Sequence, residues 1–87
     1  MPIAYVLINS ELGTDVDVIS QIKKIFEDEI ISSFEIQGVY GVFDIVIKIS
    51  SDDEKLRNLI TNKIRKIQQV QSTLTMMVIE SNNFFII

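Results

Sequence analysis

Gly41 and Asp44, close together in a short break between two runs of branched residues, are the positions whose types best suit a small-molecule ligand. Glycine permits positive φ and leaves backbone N–H groups open to a carboxylate, and an aspartate can receive an ammonium. The constellation Gly41, Val42, Phe43 and Asp44 therefore suits a zwitterion. On spacing alone, the commoner explanation is a hairpin turn whose Asp44 accepts local backbone bonds. A second set, Ser72, Thr73 and Thr75, offers hydroxyls that can bond a polar ligand or a neighbouring strand, and ordinary strand composition is the commoner explanation there. Met76 and Met77 read as core rather than as a soft metal site, since no other sulfur or imidazole accompanies them.

Other chemistries are excluded by composition. The 87 residues contain no histidine and no cysteine, which removes Ser/His/Asp triads, Cys/His nucleophiles, thiolate or imidazole zinc sites and disulfides. Eight cations against twelve anions give a formal charge of −4, which disfavours a generic grip on phosphate backbone. Five of the cations, Lys55, Arg57, Lys63, Arg65 and Lys66, share one stretch, but Asp52, Asp53 and Glu54 adjoin it, so an exposed helix of alternating charge is the expectation. Glu27, Asp28 and Glu29 read as a solvated helix end rather than an acid/base pair. Gly13 stands alone, without a glycine-rich phosphate loop. No enzyme activity and no cofactor are expected.

These residues need elements to position them. Residues 3–9 read as a strand that is apolar on both faces, with Ile3, Tyr5 and Leu7 against Ala4, Val6 and Ile8, the mark of a strand covered on both sides. Thr14 stands where an N-cap would, before a helix to about residue 29 whose stripe is Val18, Ile19, Ile22, Ile25 and Phe26. Residues 32–40 suggest an edge strand with a bulge at Gly38. After a turn at Gly41 and Val42, residues 43–50 alternate as the clearest strand of the chain and pair back as a hairpin. Ser51, Asp52 and Asp53 cap a second helix to about residue 69, carrying Leu56, Leu59, Ile60, Ile64 and Ile67 on one stripe. Residues 72–80 form a last strand, and Ser81, Asn82 and Asn83 turn into the apolar tail 84–87.

The order strand, helix, strand, strand, helix, strand predicts an α+β ferredoxin-like βαββαβ sandwich, one domain over 1–87, with both helices on one sheet face and right-handed crossovers. The other face needs a cover, since Leu74, Met76 and Val78 continue the apolar set of the first strand. A two-fold dimer packed sheet to sheet is the simplest one, with the tail joining it. No run approaches a membrane span, and residues 1–8 lack a basic region and a cleavage site, which places the expected location in the cytoplasm.

Two stretches, VYGVFDIVIKI at 39–49 and STLTMMVIE at 72–80, closely resemble the effector-binding RAM domain of the Lrp/AsnC (feast/famine) transcription regulators. The resemblance covers nearly the whole chain. It implies a dimeric α/β-barrel arrangement, assembly of dimers into an octamer or similar ring, and a small effector, usually an amino acid, held between dimers. Carried over by position, Tyr40, Gly41, Val42, Phe43 and Asp44 match the effector-binding turn, with Asp44 as the ammonium partner, and Ser72, Thr73 and Thr75 match the hydroxyl-bearing strand. Phe43 departs from the family's tyrosine and removes a hydroxyl. Met1 leads directly into the first strand with no helix-turn-helix, so a stand-alone module is expected that senses an effector, co-assembles with full-length regulators and makes no direct DNA contact. Two rival readings share the fold. One is an ACT-like amino-acid sensor, whose site favours the loop after the first strand, here Glu11, Leu12 and Gly13. The other is a small dimeric α/β-barrel enzyme, whose histidine-dependent members composition removes.

Overall fold

The computed structural model describes residues 2–31 and 33–79. Four strands form one antiparallel sheet in the order β2-β3-β1-β4. They are β1 (Ile3–Ser10), β2 (Phe34–Gly38), β3 (Ile45–Ser50) and β4 (Val70–Met77), with helix α1 (Asp15–Asp28) after β1 and helix α2 (Asp53–Asn58) after β3. This is the ferredoxin-like order expected from the pattern.

Strand alternation sorts the sheet into two faces. Ala4, Val6 and Ile8 of β1 lie opposite Ile49, Ile47 and Ile45 of β3, and all six are buried. Against them pack Val18, Ile22 and Phe26 of α1 and Leu56, Leu59 and Ile64 from the second helical region, all buried. Phe26 meets Phe34 edge-on at a centroid distance of 4.9 Å, a favoured aromatic geometry. The odd-numbered side of β1 faces away from the helices. There Tyr5 lies between Lys48 and Met76, and Leu7 between Val46 and Leu74. Leu74 and Met76 remain 48% and 46% exposed, so the open face is apolar along β1 and β4, while Glu35, Gln37 and Lys48 make its other side polar.

Most elements are shorter than the pattern predicts, while β1 is one residue longer. Thr14 does not cap α1 with its side chain; its hydroxyl instead donates to the Glu11 carbonyl at 2.7 Å, closing the loop before the helix. Asp52 does cap α2, accepting from the Lys55 N–H at 2.8 Å. The second helix does not run on as one α-helix to residue 69. A π-helical turn (Leu59–Lys63) and a 3₁₀ turn (Ile64–Lys66) follow α2. Leu59 and Ile64 would stand roughly 140° apart around an α-helix. The wider turn, in which the Ile64 N–H reaches the Leu59 carbonyl, lets both be buried. The bulge expected at Gly38 is absent, because β2 and β3 pair without interruption from Phe34 to Gly38. The irregularity lies instead between β1 and β4 at Asn9 and Ser10. β4 begins two residues earlier than expected and ends at Met77, and the tail 84–87 lies outside the described residues.

Candidate functional site

The connection between β2 and β3 is wider than a two-residue hairpin. The Val39 N–H donates to the Asp44 carbonyl at 2.8 Å, enclosing residues 40–43. Gly41 adopts φ +140°, and nothing lies within 4 Å of a Cβ placed there, so glycine is needed for the backbone conformation rather than for room. Tyr40 and Val42 are exposed, and Phe43 and Asp44 are half-buried.

Asp44 is tied to β1 twice. Its N–H donates to the Ile8 carbonyl, and its Oδ2 accepts the Ser10 N–H, each at 2.9 Å. Even-numbered residues of β1 direct their backbone groups toward β3, which starts only at Ile45. The carboxylate therefore takes the place of the strand residue that Ser10 would otherwise pair with. Asp44 accepts a local backbone bond at its carbonyl, from Val39, as the turn explanation expects, and its carboxylate accepts a second from Ser10, distant in the chain. Ser10 itself is 7% exposed, and its Oγ has no partner among the described residues.

A groove of about 490 Å³ opens beside this contact, lined by Ser10, Glu11, Leu12, Gly13, Asp15, Val39, Tyr40, Asp44 and Gln71. Its loop wall is held by backbone bonds. The Glu11 carbonyl accepts the Thr14 N–H at 3.0 Å, and the Glu11 N–H donates to the Gln69 carbonyl at 2.9 Å. Asp15 Oδ2 lies 4.0 Å from where a Cβ on Gly38 would stand, an ordinary contact distance. The loop after β1 and the turn before β3 thus share one groove. By sequence these are rival sites, and Ser10, Asp15 and Gln71 belong to neither pattern; pairing of β1 with β3 brings them together.

β4 divides its hydroxyls. Ser72 lies on the open face and accepts from Asn9 Nδ2 at 3.2 Å. Thr73 and Thr75 lie on the opposite face, across from Ile8 and Val6. Thr75 borders a separate groove of about 300 Å³ with Asp53, Leu56, Arg57, Ile60 and Met77. Of the eight candidates, Tyr40 and Asp44 line the first groove, Gly41, Val42 and Phe43 form the turn behind it, Ser72 and Thr73 line neither groove, and Thr75 belongs to the second. Glu29, expected to be solvated, approaches Lys63 Nζ at 3.9 Å. Among the described residues, no three Asp or Glu side chains gather closely enough to hold a metal, and no helix is long and apolar enough to cross a membrane.

No protein-family model and no curated protein matches the sequence. Solved structures do match. The chain is similar to FFRP-DM1, with 30% identity over 91% of this chain and 100% of that one, at a TM-score of 0.76. AsnC of E. coli is 22% identical and shares the fold at a TM-score of 0.66, over 99% of this chain and 56% of that one. The transcriptional regulator NMB0573 of Neisseria meningitidis, solved as an L-Met complex, shares it at 10% identity and a TM-score of 0.68, over 95% of this chain and 53% of that one. Fold and neighbours define an α+β module of ferredoxin-like order, the fold that these transcription regulators share. The chain belongs to the Lrp/AsnC (feast/famine) family, as a RAM domain.

Proposed function

We propose that residues 1–87 form a single, non-enzymatic effector-binding domain that works in the cytoplasm, holding an amino acid or related small metabolite and modulating full-length regulators of its own family. The observation that carries this reading is the groove of about 490 Å³ beside Asp44, within the size range of small-ligand sites. One carboxylate oxygen of Asp44 is engaged by Ser10, and the other has no hydrogen bond among the described residues, which suits an ammonium. The L-Met complex of the Neisseria regulator adds support by analogy of fold. The apolar stretch of the open face supports a sheet-to-sheet dimer, and effectors held between dimers would shift a higher assembly by their differential affinity.

The test is a thermal-shift screen of the purified oligomer against the twenty amino acids. A ligand at 100 times its Kd stabilises a site by about 2.7 kcal/mol, which is on the order of 10 °C or more in a domain of this size. A shift abolished by Asp44→Asn supports the reading. No shift from any amino acid, in a protein shown to be assembled, rejects an amino-acid effector and moves weight to a purely structural or partner-modulating module. An ACT-like mode gains a specific observation, since Glu11, Leu12 and Gly13 line the same groove; hydrogen-exchange protection of that loop without protection of the Gly41 turn would favour it.

A further inference from the structure

We propose that the apolar tail Phe84-Phe85-Ile86-Ile87, outside the described residues, folds back on its own chain as a fifth strand along the free edge of β4. Among the described residues β4 pairs only with β1. The Val78 N–H donates to the Ile3 carbonyl at 2.9 Å, which fixes the alternation of backbone groups along this strand. Ser72, Leu74, Met76 and Val78 direct theirs at β1, and Thr73, Thr75, Met77 and Ile79 direct theirs away from the sheet. Proteins guard such an edge with charges, proline, a bulge, short length or a covering segment. The opposite edge, β2, is five residues long and carries Glu35. Residues 70–79 have no charge, proline or glycine, and β4 pairs with β1 without a bulge from Ser72 to Met77. Of these devices, a covering segment is the one left to β4.

Sequence, reach and shape select the tail as the occupant. Its aromatic and β-branched residues suit a strand, and Ser81, Asn82 and Asn83 before it are turn formers. Four extended residues span about 13 Å, enough to run from that turn back to Met77. The turn also makes the contact intramolecular, at an effective concentration that a second chain would have to match. Whether Ile86 or Ile87 comes to lie opposite Met77, alternation puts one phenylalanine and one isoleucine on each face of the sheet. On the helix side, the isoleucine opposite Met77 meets the groove of about 300 Å³ between β4 and α2. Leu56 and Ile60 line that groove, Ile60 being carried there by the π turn, and Met77 is 43% exposed at its edge. On the open face, the other pair extends the apolar set of Leu74 and Met76.

The experiment is residue-resolved hydrogen exchange of the full chain and of a chain shortened to end at Asn83. The Met77 and Ile79 amides should exchange about tenfold or more slowly in the full chain, while Thr73, beyond the reach of the tail, exchanges alike in both. A second measurement stands if the shortened chain does not fold. The sequence has no cysteine, so Val78→Cys combined with Phe85→Cys, or with Ile86→Cys, tests the pairing directly, because facing strand residues lie within disulfide reach. One of the two pairs should close within a single chain, running as a monomer on a non-reducing gel. Equal exchange of Met77 and Ile79 with and without the tail overturns the proposal. So does a failure of both cysteine pairs to close, or closure only between chains, which assigns the edge to the tail of a second copy. Protection of Thr73, Thr75 and Met77 together that survives removal of the tail also overturns it, and assigns the edge to β4 of a second copy.

Discussion

Replacing Asp44 by alanine leaves the half-buried Ser10 N–H without its acceptor, and an unsatisfied donor of that kind costs about 1–3 kcal/mol. Asp44→Asn keeps a carbonyl oxygen for Ser10 and removes only the charge. Urea denaturation should therefore show a clear loss of midpoint for Asp44→Ala and a much smaller one for Asp44→Asn, while both lose affinity for an ammonium ligand. Equal stability loss in the two variants would mean that the Ser10 bond does not anchor the turn. That residue 44 is an aspartate in a turn, a candidate for an ammonium, was readable from the sequence. Its bond to Ser10 was not, because that contact exists only once β1 and β3 are in register.

Helix α1 ends in a way that runs against local preference. Ile30 takes φ +56°, a region that β-branched residues rarely enter. The Ile31 N–H returns to the Phe26 carbonyl at 2.8 Å and the Ile30 N–H to the Glu27 carbonyl at 3.1 Å, the Schellman arrangement, in which glycine is the usual residue at this position. Because the Ile30 side chain is 85% exposed, its removal forfeits little packing. Ile30→Gly should stabilise the protein by about 1 kcal/mol, read as a higher urea midpoint at unchanged slope. A lower midpoint would show that the left-handed position is held by contacts of the Ile30 side chain. The second helix shows the same tension between local and global terms. Its apolar stripe announces a helix, yet the offset between Leu59 and Ile64 is met by a π turn rather than by an α-helix continued to residue 69.

At the scale of the whole molecule, the proposed assembly turns on the open sheet face. Leu7 with Leu74 and Tyr5 with Met76 pair across β1 and β4 on that face, and the described residues leave Leu74 and Met76 half exposed. In a two-fold sheet-to-sheet dimer each substitution is counted twice. Leu74→Lys would bury an unpaired ammonium on each side, weakening the dimer on the order of 100-fold or more. Sedimentation should then find Leu74→Lys largely monomeric at concentrations where the wild-type chain is dimeric. A dimer that survives the change would place the interface elsewhere.

Periodicity, turn residues and capping are local properties, and they were enough to determine the element order, the ferredoxin-like class, the buried side of β3 and a capped start to the second helix; the family resemblance rested on the two stretches 39–49 and 72–80, and the likeness to FFRP-DM1 supports it. Tertiary structure alone decided the rest. A one-residue change in phase sends a strand's side chains to the opposite face. Hence Ser72 and Thr75, close in sequence, look to different faces of β4, and Thr75 borders a groove apart from Asp44. Conversely, Glu11 and Asp15 stand far from Asp44 along the chain, yet they line one groove with it, because antiparallel pairing of β1 with β3 brings the end of one strand beside the start of the other.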